Sequence, residues 1–468
     1  MKAPLWEAVK AYTKRKIFSW HTPGHKGGAG AAAEFRTRLG RGVFQADLTE
    51  LPELDNLYYP EGPIREAQER AAAFFGAGRT FFLVNGATSG IASVILATCR
   101  PGDKVLVPRY AHRSVWSGLI LSGSRPVYLK GCWLSTLGLP LGVTPGEVEE
   151  ALALHKGVKL LVLVHPTYEG LVPPTGRLVK LAHRYKVQVL VDAAHGSHFG
   201  LDDRLPPSPL KLGADYVVHG THKTLGAFTQ AAMLHLRAGL DGDGVAEALR
   251  LLQTSSPSYL LLASLDMARY VAELKGYKLW AKAVDRALKL RQRLRELGLP
   301  CLEEGDVVGE AAAGLDVTRL VIPTGPLGLS GEEAAAALRR LGHEMELART
   351  RYVVAILTPG DDERSTGSFL RALRTLRKEG AGRGSKPLEE LPAGESLPPL
   401  AMTPREAFFA RHRSVPVREA QGKIAAELVA PCPPGYVVVA PGEVLTPEIV
   451  DRLTLIRGKD SLIRVVDV

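Results

Sequence analysis

Short apolar runs alternate with helical segments between Thr80 and Leu236. The runs are rich in Val, Leu or aromatic residues and show no regular polar alternation, which is typical of strands buried on both faces. The pattern predicts a doubly wound α/β domain with a mostly parallel sheet of seven strands. The seven runs are TFFLV (80–84), KVLV (104–107), PVYL (126–129), KLLVLV (159–164), VQVLV (187–191), DYVV (215–218) and QAAMLHL (230–236). Helices are predicted between them at 91–99, 145–155 and 176–185.

The remainder of the chain predicts a second, smaller α/β region and a C-terminal extension. An amphipathic run at 259–297 predicts a long helix that connects two domains. Beyond it we expect strands at 318–322 and 352–357, helices at 330–341, 367–378 and 405–411, and a last strand in LIRVVDV (462–468). Gly, Pro and charge crowd residues 379–404, as in a linker. The expected division is an N-terminal arm (1–50), a large domain (51–265), a small domain (266–380), a linker (381–403) and a C-terminal domain (404–468).

The net charge of +10 first suggests a nucleic-acid partner. However, the basic stretches at 10–16, 36–41 and 286–295 are short, and no aromatic-rich stacking motif accompanies them. We interpret them as solvated helix faces and expect no nucleic-acid binding. The scarcity of Asn, with only Asn56 and Asn85, favours a thermophilic source, although a GC-rich genome would give much of the same bias.

Cysteine usage and hydropathy favour a cytoplasmic protein. Four cysteines lie far apart without a CxxC pair, which argues against a zinc ribbon or a disulfide framework: Cys99, Cys132, Cys301 and Cys432. The N-terminus has no uninterrupted apolar segment, and no later run approaches the ~18 apolar residues that a membrane span requires. We therefore expect neither a signal peptide nor a membrane partner.

Polar segments follow five of the predicted strands, where an open α/β sheet binds its ligands. The segments are NGATSG (85–90), PRYAHRS (108–114), HPTYEG (165–170), DAAHG (192–196) and HGTHKT (219–224). NGATSG opens a helix, so its N–H groups and the hydroxyls of Thr88 and Ser89 are candidates to hold a phosphate. The alternative is that its glycines only shape a turn and Ser89 caps the helix.

Lys223 and Asp192 are the two charged residues whose burial would need a reason. A lysine with a lowered pKa suits Schiff-base chemistry, and a carboxylate after a strongly apolar strand is costly without a partner. For each residue alone, a structural ion pair or an exposed loop end is an equal alternative. Together with a phosphate loop they match pyridoxal phosphate, which needs an amine, an acid at its ring nitrogen and a phosphate site.

The sequence offers two alternatives to this site: a metal site and a second candidate amine. The spacings His195-x-x-His198 and His219-x-x-His222 offer a metal site, but no third ligand with recognised spacing is near, so we expect no metal. Lys26 is a second candidate amine, although no buried strand precedes it to give rigid support.

These residues resemble the bacterial Orn/Lys/Arg decarboxylases, which are pyridoxal-phosphate enzymes of the aspartate-aminotransferase fold. The similarity covers nearly the whole chain in order. The matching stretches are HTPGHKGG (21–28), DLTELPELDNLYYPEGPIREAQ (47–68), NGATSG (85–90), AHRS (111–114), PTYEG (166–170), VDAAHGSHFG (191–200), HGTHKTLGAFTQAAMLH (219–235), TSSPSYLLLASLD (254–266) and PCPPGYVVVAPGE (431–443).

The resemblance implies a role for each matching residue. Lys223 would bind the cofactor as a Schiff base, Asp192 would pair with the pyridinium nitrogen, and His112 and Ala194 would pack on the two ring faces. The catalytic residues would be Lys223, His222 and His112, with either Lys223 or His222 as the Cα proton donor. Further cofactor contacts would be Ala87, Thr88, Ser89, His195, Thr221 and His222. The family usually has Thr-Ser where this chain has Ala87-Thr88, so the hydroxyl that contacts the phosphate stays open. Ser256 or Ser258 would reach the cofactor of a second subunit in a homodimer.

The resemblance also implies a basic amino acid as substrate. The chain looks like the compact biosynthetic type without an N-terminal receiver-like domain, so we expect arginine, converted to agmatine and CO2 for polyamine biosynthesis, before lysine or ornithine. A cationic side chain needs an acidic partner, and the candidates are Glu50, Glu53, Asp55 and Glu443, with ordinary surface charge as an equal alternative for each. An aminotransferase using Arg349 or Arg351, or a non-catalytic interaction protein, are the alternatives from other classes.

Overall fold

A computed structural model of the chain describes residues 2–380, 397–431 and 436–467. Cys432, most of the predicted linker at 381–403 and residues 432–435 of the C-terminal segment lie outside this part. The α-helices are α1 (Pro4–Thr13), α2 (Ala33–Leu39), α3 (Arg41–Ala46), α4 (Pro63–Phe75), α5 (Gly86–Thr98), α6 (Ser114–Ser122), α7 (Pro145–Leu154), α8 (Thr175–Arg184), α9 (Thr221–Thr224), α10 (Asp243–Leu252), α11 (Tyr259–Glu296), α12 (Gly331–Arg340), α13 (Glu363–Gly380), α14 (Pro404–Phe409) and α15 (Pro447–Arg457).

The strands are mostly short. They are β1 (Arg79–Leu83), β2 (Lys104–Pro108), β3 (Arg125–Leu129), β4 (Cys132–Leu134), β5 (Leu139–Gly142), β6 (Val158–Val164), β7 (Leu171–Val172), β8 (Gln188–Asp192), β9 (Tyr216–His219), β10 (Ala232–Leu236), β11 (Gly314–Leu315), β12 (Arg319–Pro323), β13 (Leu347–Arg349), β14 (Tyr352–Ile356), β15 (His412–Pro416) and β16 (Leu462–Val466). Single 3-10 turns lie at Lys26–Gly28, Glu304–Asp306, Gly325–Leu327 and Val417–Glu419.

Seven strands form one mixed sheet, and the chain divides into two compact units. The first unit is made of 1–98, 190–198 and 208–276, and the second of 99–189, 199–207 and 277–468. This division does not follow the domain boundaries that we expected from the sequence, which stay a prediction.

The first unit holds four neighbouring strands in the order β1–β10–β9–β8. β10 is antiparallel to both β1 and β9, whereas β8 and β9 are parallel. Side chains of α1, α4 and α11 bury apolar groups against β1 and β10, among them Leu5, Ile64, Phe82, Met233 and Leu262. Burial of such side chains stabilises a fold by about 1.5–3 kcal/mol each, so this core fixes the strand ends that carry the candidate site.

The second unit contains the parallel strands β6, β2 and β3 and several smaller antiparallel pairs. These pairs are β4 with β5, β7 with β11, the three-stranded β12–β14–β13 sheet, and β15 with β16. The C-terminal pair encloses its own apolar core, which includes Val417, Val439, Leu453 and Ile463. No helix in the described ranges is long and apolar enough to cross a membrane.

The expected α/β fold with a seven-stranded sheet is confirmed, and each predicted strand lies within two residues of an observed one. The sheet is mixed because the short connection between β9 and β10, which contains only α9, returns the chain antiparallel. The long helix predicted at 259–297 is α11. The sequence did not predict the β4–β5 hairpin, and it placed the start of α5 at Ile91, whereas the helix begins at Gly86.

Candidate active site

Lys223 lies in the short helix α9, directly after the buried strand β9. Its Nζ is 2.7 Å from Nε2 of His195, a buried residue in the loop after β8. Because an ammonium group has donors only, the imidazole nitrogen accepts this hydrogen bond when the lysine is protonated. Lys223 thus sits at the carboxyl end of its strand, with its amine beside a group that can take up its proton.

Asp192 is the last residue of β8 and is buried. Its Oδ1 accepts a hydrogen bond from the backbone N–H of Ala194 at 3.0 Å, which fixes the carboxylate at the start of the loop. In the sheet Asp192 pairs in register with Val218, the residue before the end of β9. The carboxylate and the lysine therefore leave neighbouring strands at the same edge of the sheet.

Gly220 allows the lysine segment to approach the loop after β8. A Cβ at this position would lie 2.7 Å from the carbonyl oxygen of Ala194 and 3.3 Å from Cδ of Lys223. The first distance is shorter than real Cβ contacts, so any side chain at position 220 would push the two segments apart. Ala194 is itself buried. The structure thus places Lys223, His195, Ala194 and Asp192 at one edge of the sheet, and their roles at the cofactor stay predictions.

The start of α5 is held beside the lysine segment by Gln230 and Ala231. The carbonyl oxygen of Ala231 accepts hydrogen bonds from the backbone N–H of His222 at 3.2 Å and from its Nδ1 at 2.9 Å. The side-chain amide of Gln230 donates to the carbonyl of Val84, at the end of β1. Sequence reasoning missed Gln230 because it stood inside a predicted strand; its φ of 86° instead marks a turn before β10.

The hydroxyls predicted to contact a phosphate differ in their surroundings. Ser89 is buried and its Oγ donates to the carbonyl of Gly86 at 2.8 Å, whereas Thr88 is exposed in the first turn of α5 and Ala87 is half-buried. Thr221 is buried, and its hydroxyl has no hydrogen-bond partner among the described residues. A buried hydroxyl without a partner is costly. An acceptor such as a phosphate oxygen would satisfy it, so the residues present fit the phosphate group of the expected cofactor.

The two serines of the TSSPSY segment have local partners. The N–H of Ser256 donates to Oγ1 of Thr254 at 3.1 Å, and Oγ of Ser258 accepts from the N–H of Leu261 at 3.5 Å, at the start of α11. The N–H of Thr254 in turn donates to Oδ1 of Asn85 at 3.2 Å. This segment thus adjoins the NGATSG loop, and contact with a second subunit stays a prediction.

His112 belongs to the second unit, in the loop between β2 and α6. Its Nδ1 is 2.9 Å from Oγ of Ser114 and accepts the N–H of Ser114 at 3.3 Å, which fixes the ring. Its backbone forms a bridge with Tyr436. Its stacking on a cofactor ring stays a prediction.

Three of the four acids proposed for the substrate already have partners in the first unit. Glu50 accepts from the side-chain amide of Asn56 and the N–H of Leu57, at 2.8 and 2.9 Å. Both oxygens of Asp55 accept backbone N–H groups around the start of α4. Glu53 forms an ion pair with Arg15 at 2.8 Å, and the side chains of both are about half exposed (56% and 52%).

Glu443, the fourth acid, is fully buried in the second unit and is bound by Arg109. The guanidinium meets Oε1 at 2.5 Å and Oε2 at 2.9 Å, and the N–H of Ala440 also donates to Oε2 at 2.9 Å. Burial opposes the charge of Arg109, but the adjacent Glu443 carboxylate leaves the arginine pKa raised overall. This geometry gives Glu443 a structural partner, and its predicted contact with substrate has no support from the described residues.

The rival amine and the rival metal residues are placed differently. Lys26 is exposed and its Nζ donates to the carbonyl of His21. His219 is buried, with its Nδ1 3.0 Å from Nε2 of His235 in the core of the first unit. Among the residues that the structure describes, no group of three or more His, Cys, Asp or Glu is arranged to hold a metal ion.

Comparison with known proteins identifies the family. The family model for the Orn/Lys/Arg decarboxylase major domain matches residues 3–312, and that for the C-terminal domain matches residues 391–461. The chain is 37% identical over 450 residues to an arginine decarboxylase of Bacillus subtilis, covering 96% of this chain and 92% of that protein. It is 36% identical to an arginine decarboxylase of Bacillus anthracis, over 97% of this chain and 92% of the relative.

Solved structures show the same fold. Lysine decarboxylase A from Pseudomonas aeruginosa superposes with a TM-score of 0.86 and 23% identity, covering 99% of this chain and 80% of that one. The family model spans well over half of the sequence, and the full-length relatives exceed 30% identity. The chain therefore belongs to the Orn/Lys/Arg decarboxylase family.

Proposed function

We propose that this protein is a pyridoxal-phosphate-dependent arginine decarboxylase. The observation that carries the proposal is the hydrogen bond of 2.7 Å between Nζ of Lys223 and Nε2 of His195, on the sheet edge that also carries Asp192. A lysine, a buried carboxylate and a helix start on one edge are what the cofactor requires. Pyridoxal phosphate, when bound, supplies the electron sink for loss of CO2.

The residues of this chain bind, orient and exchange protons around that group. Lys223 would provide the amine that holds the cofactor, and His195, 2.7 Å from Nζ, would exchange a proton with that amine. The buried Asp192 carboxylate would pair with the protonated ring nitrogen, because a buried carboxylate without a positive partner is costly. The hydroxyl of Thr221 and the N–H groups at the start of α5 would bind the phosphate.

Other predicted residues would complete the site. We propose that His112 stacks on the ring and that Ala194 leaves room on the opposite face. Thr88, Ser89 and His222, with Ala87 in the same turn, would line the phosphate end, and Lys223 or His222 would return a proton to Cα. Ser256 or Ser258 would come from a second subunit.

Arginine is our choice of substrate because the full-length relatives named above are arginine decarboxylases. The guanidinium would need an acid. All four candidates have partners in the chain: Asp55 accepts five hydrogen bonds, Glu443 three and Glu50 two. Glu53 has only the half-exposed ion pair with Arg15, so it is the best supported and Glu50 comes next. The product would be agmatine, in polyamine biosynthesis.

We also propose a cytoplasmic homodimer from a thermophile. Phe18 and Trp20 in the N-terminal arm are 91% and 94% exposed, and large apolar side chains this exposed favour burial against another subunit. Size-exclusion chromatography with light scattering tests the oligomeric state, and a monomer at micromolar concentration would contradict it.

The decisive experiment compares arginine, lysine and ornithine as substrates of the cofactor-loaded protein. We expect CO2 release with arginine and a product with the mass of agmatine. Faster turnover of lysine or ornithine would replace arginine as the proposed substrate. Turnover of none of the three would contradict the proposed decarboxylase activity. An aminotransferase would instead convert the cofactor to its amine form. A colourless protein that cannot be reconstituted with pyridoxal phosphate would support a non-catalytic role.

A further inference from the structure

A strongly basic groove of about 660 Å³ lies between α11 and α13 in the second unit. Six cationic side chains line it: Lys282, Arg286, Lys289 and Arg293 from α11, and Arg371 and Arg374 from α13. The groove also contains Asp285 and Glu363, but Oδ1 of Asp285 is bound by Arg204 at 2.6 Å. The groove therefore carries a large excess of positive charge.

The cations on each helix lie close enough to repel one another. Residues three or four apart on a helix are neighbours, and like charges at these spacings repel. On α11 the four cations follow one another at spacings of three or four residues, so they lie on one face of the helix. On α13, Arg371 and Arg374 are three residues apart. In the described residues, the only ion pair that any of the six forms is a long contact of 4.0 Å between Arg293 and Glu296.

Several exposed helix charges elsewhere in the protein form ion pairs within their helix. Arg65 and Glu69 form an ion pair at 2.8 Å on α4, Arg70 pairs with Glu66 at 2.7 Å on the same helix, and Arg250 pairs with Glu247 on α10. The groove between α11 and α13 differs because six cations cluster there with few acids beside them. Among the described residues, Glu363 in the groove and Asp362, which interacts with Arg286, offset only part of this charge. An anionic ligand would compensate the rest.

We propose that this groove binds a linear oligophosphate and recognises its phosphates by charge. Arginine forks and lysine ammonium groups both suit phosphate oxygens. The lining contains no aromatic side chain on which a nucleobase could stack. A groove of this volume is large enough for a small ligand. The site is separate from the residues assigned to the decarboxylase, and the inference does not rest on that assignment.

Isothermal titration calorimetry tests the proposal: the cofactor-loaded protein is titrated with inorganic tripolyphosphate at low salt, and the heat of binding is measured. We expect one saturable site per chain, with a Kd that rises steeply with salt. The double variant Arg371→Gln/Arg374→Gln should weaken binding about tenfold or more, since charge-assisted hydrogen bonds are lost. The second pair, Lys282→Gln/Lys289→Gln, should do the same from the other helix.

The matched control removes two exposed lysines outside the groove, Lys180→Gln/Lys211→Gln, and should leave Kd unchanged. Without ligand, both groove variants should unfold at the same temperature as the parent or a higher one, because like-charge repulsion is relieved. Equal weakening in the control, absence of a saturable site, or equally tight binding of inorganic monophosphate would each overturn the proposal. Loss of decarboxylase activity would have no bearing on these outcomes.

Discussion

Two groups of charged side chains differ in how completely the chain satisfies them. Glu443 is fully buried, and its two oxygens receive three hydrogen bonds, two from Arg109 and one from the N–H of Ala440. Arg109 also donates to the carbonyl of Val438 at 2.9 Å. At the other site, Nζ of Lys223 lies 2.7 Å from Nε2 of His195. The hydroxyl of Thr221, two residues earlier in the chain, is buried with no partner among the described residues.

This difference distinguishes a charge that the chain binds firmly from one proposed to act on a ligand. From the sequence, Lys223 and Glu443 are both charged residues in matching family segments. The Glu443 carboxylate is fully buried and accepts three hydrogen bonds, so it is poorly placed to bind a ligand, and its ion pair joins two segments of the chain. An amine beside a proton acceptor, next to an unsatisfied hydroxyl, can still bind and react. The partners of a buried charge are thus more informative than its burial.

The largest expected effect is the loss of turnover in Lys223→Ala. Without the amine the cofactor cannot be held covalently, so kcat should fall by at least about a thousandfold. The visible absorbance band of the lysine-bound cofactor should disappear while the circular dichroism spectrum stays unchanged. Lys211→Ala, which removes an exposed lysine, serves as the control and should retain full activity. A variant at position 223 that keeps both band and turnover would remove Lys223 from the site.

Glu443→Gln tests the charge that we assign a structural role. It should lower the free energy of unfolding without a specific effect on KM for arginine. Breaking a buried pair leaves Arg109 charged and unpaired, which costs about 3–5 kcal/mol. Urea unfolding measures the loss. The double variant Arg109→Met/Glu443→Leu should recover part of it, because no unpaired charge remains. A normal unfolding midpoint together with a raised KM for arginine would instead assign Glu443 to the substrate.

The strands were predictable because each is a continuous apolar run between turn residues. The small antiparallel pairs were not. β7 and β11 have two residues each, and the β4–β5 hairpin carries Trp133, Pro140 and glycines that give no alternating pattern. The start of α5 was misplaced because Gly86 and Gly90 disfavour a helix by propensity. Gly90 is needed for packing, since a Cβ there would lie 2.7 Å from the Leu83 side chain.

The site was predictable as far as residue type and strand ends determine it. Asp192, His195 and Lys223 follow strands whose register places them on one edge. The positioning residues were not predictable. Gln230 acts through a turn with positive φ, and Asp55 satisfies backbone groups up to ten residues away in sequence. Such roles depend on the path of the backbone, which the residue type alone does not reveal.

The buried side chain of His165 makes the stability of the protein depend on pH, because the folded state favours its neutral form. His165 is fully buried between Oγ1 of Thr175, at 2.8 Å, and the carbonyl of Pro207, at 3.1 Å; burial lowers its pKa to about 4, although the carbonyl opposes this. In the unfolded chain an ordinary histidine has a pKa of about 6.5. Its contribution is therefore fully present above pH ~6.5 and is lost as the pH falls towards 4, by ~1.4 kcal/mol per pH unit at most.

The test of this prediction is urea unfolding between pH 7 and pH 4. His165→Gln should flatten the decline in stability on the acid side, although it lowers stability at pH 7 by disturbing the two hydrogen bonds. His412→Gln, which removes an exposed histidine, should keep the parent slope. An identical slope in the His165 variant would show that other groups cause the acid sensitivity.

Replacement of Asp55 is expected to have an intermediate effect on the free energy of unfolding. Its oxygens accept five backbone N–H groups, from Asn56 and from 61, 62, 64 and 65, and its φ is 77°. Asp55→Ala should cost about 2 kcal/mol in unfolding free energy, because it removes a helix cap and places Ala in a strained conformation. Asp55→Asn should lose less, since it keeps one acceptor and tolerates positive φ. A raised KM with unchanged stability would favour a substrate role.

Glu53 gives the smallest expected effect on stability and the sharpest test for substrate binding. Its carboxylate and Arg15 are about half exposed, and the hydrogen bond from Arg15 is the main reason that the Glu53 pKa is lowered. Exposed pairs of this kind contribute little to stability because water and salt screen them. Glu53→Gln should therefore leave the urea midpoint unchanged. If Glu53 binds the guanidinium, the same variant raises KM for arginine, and Arg15→Gln does not. If KM is unchanged, Glu53 is an ordinary surface charge, and Glu50 becomes the next carboxylate to test.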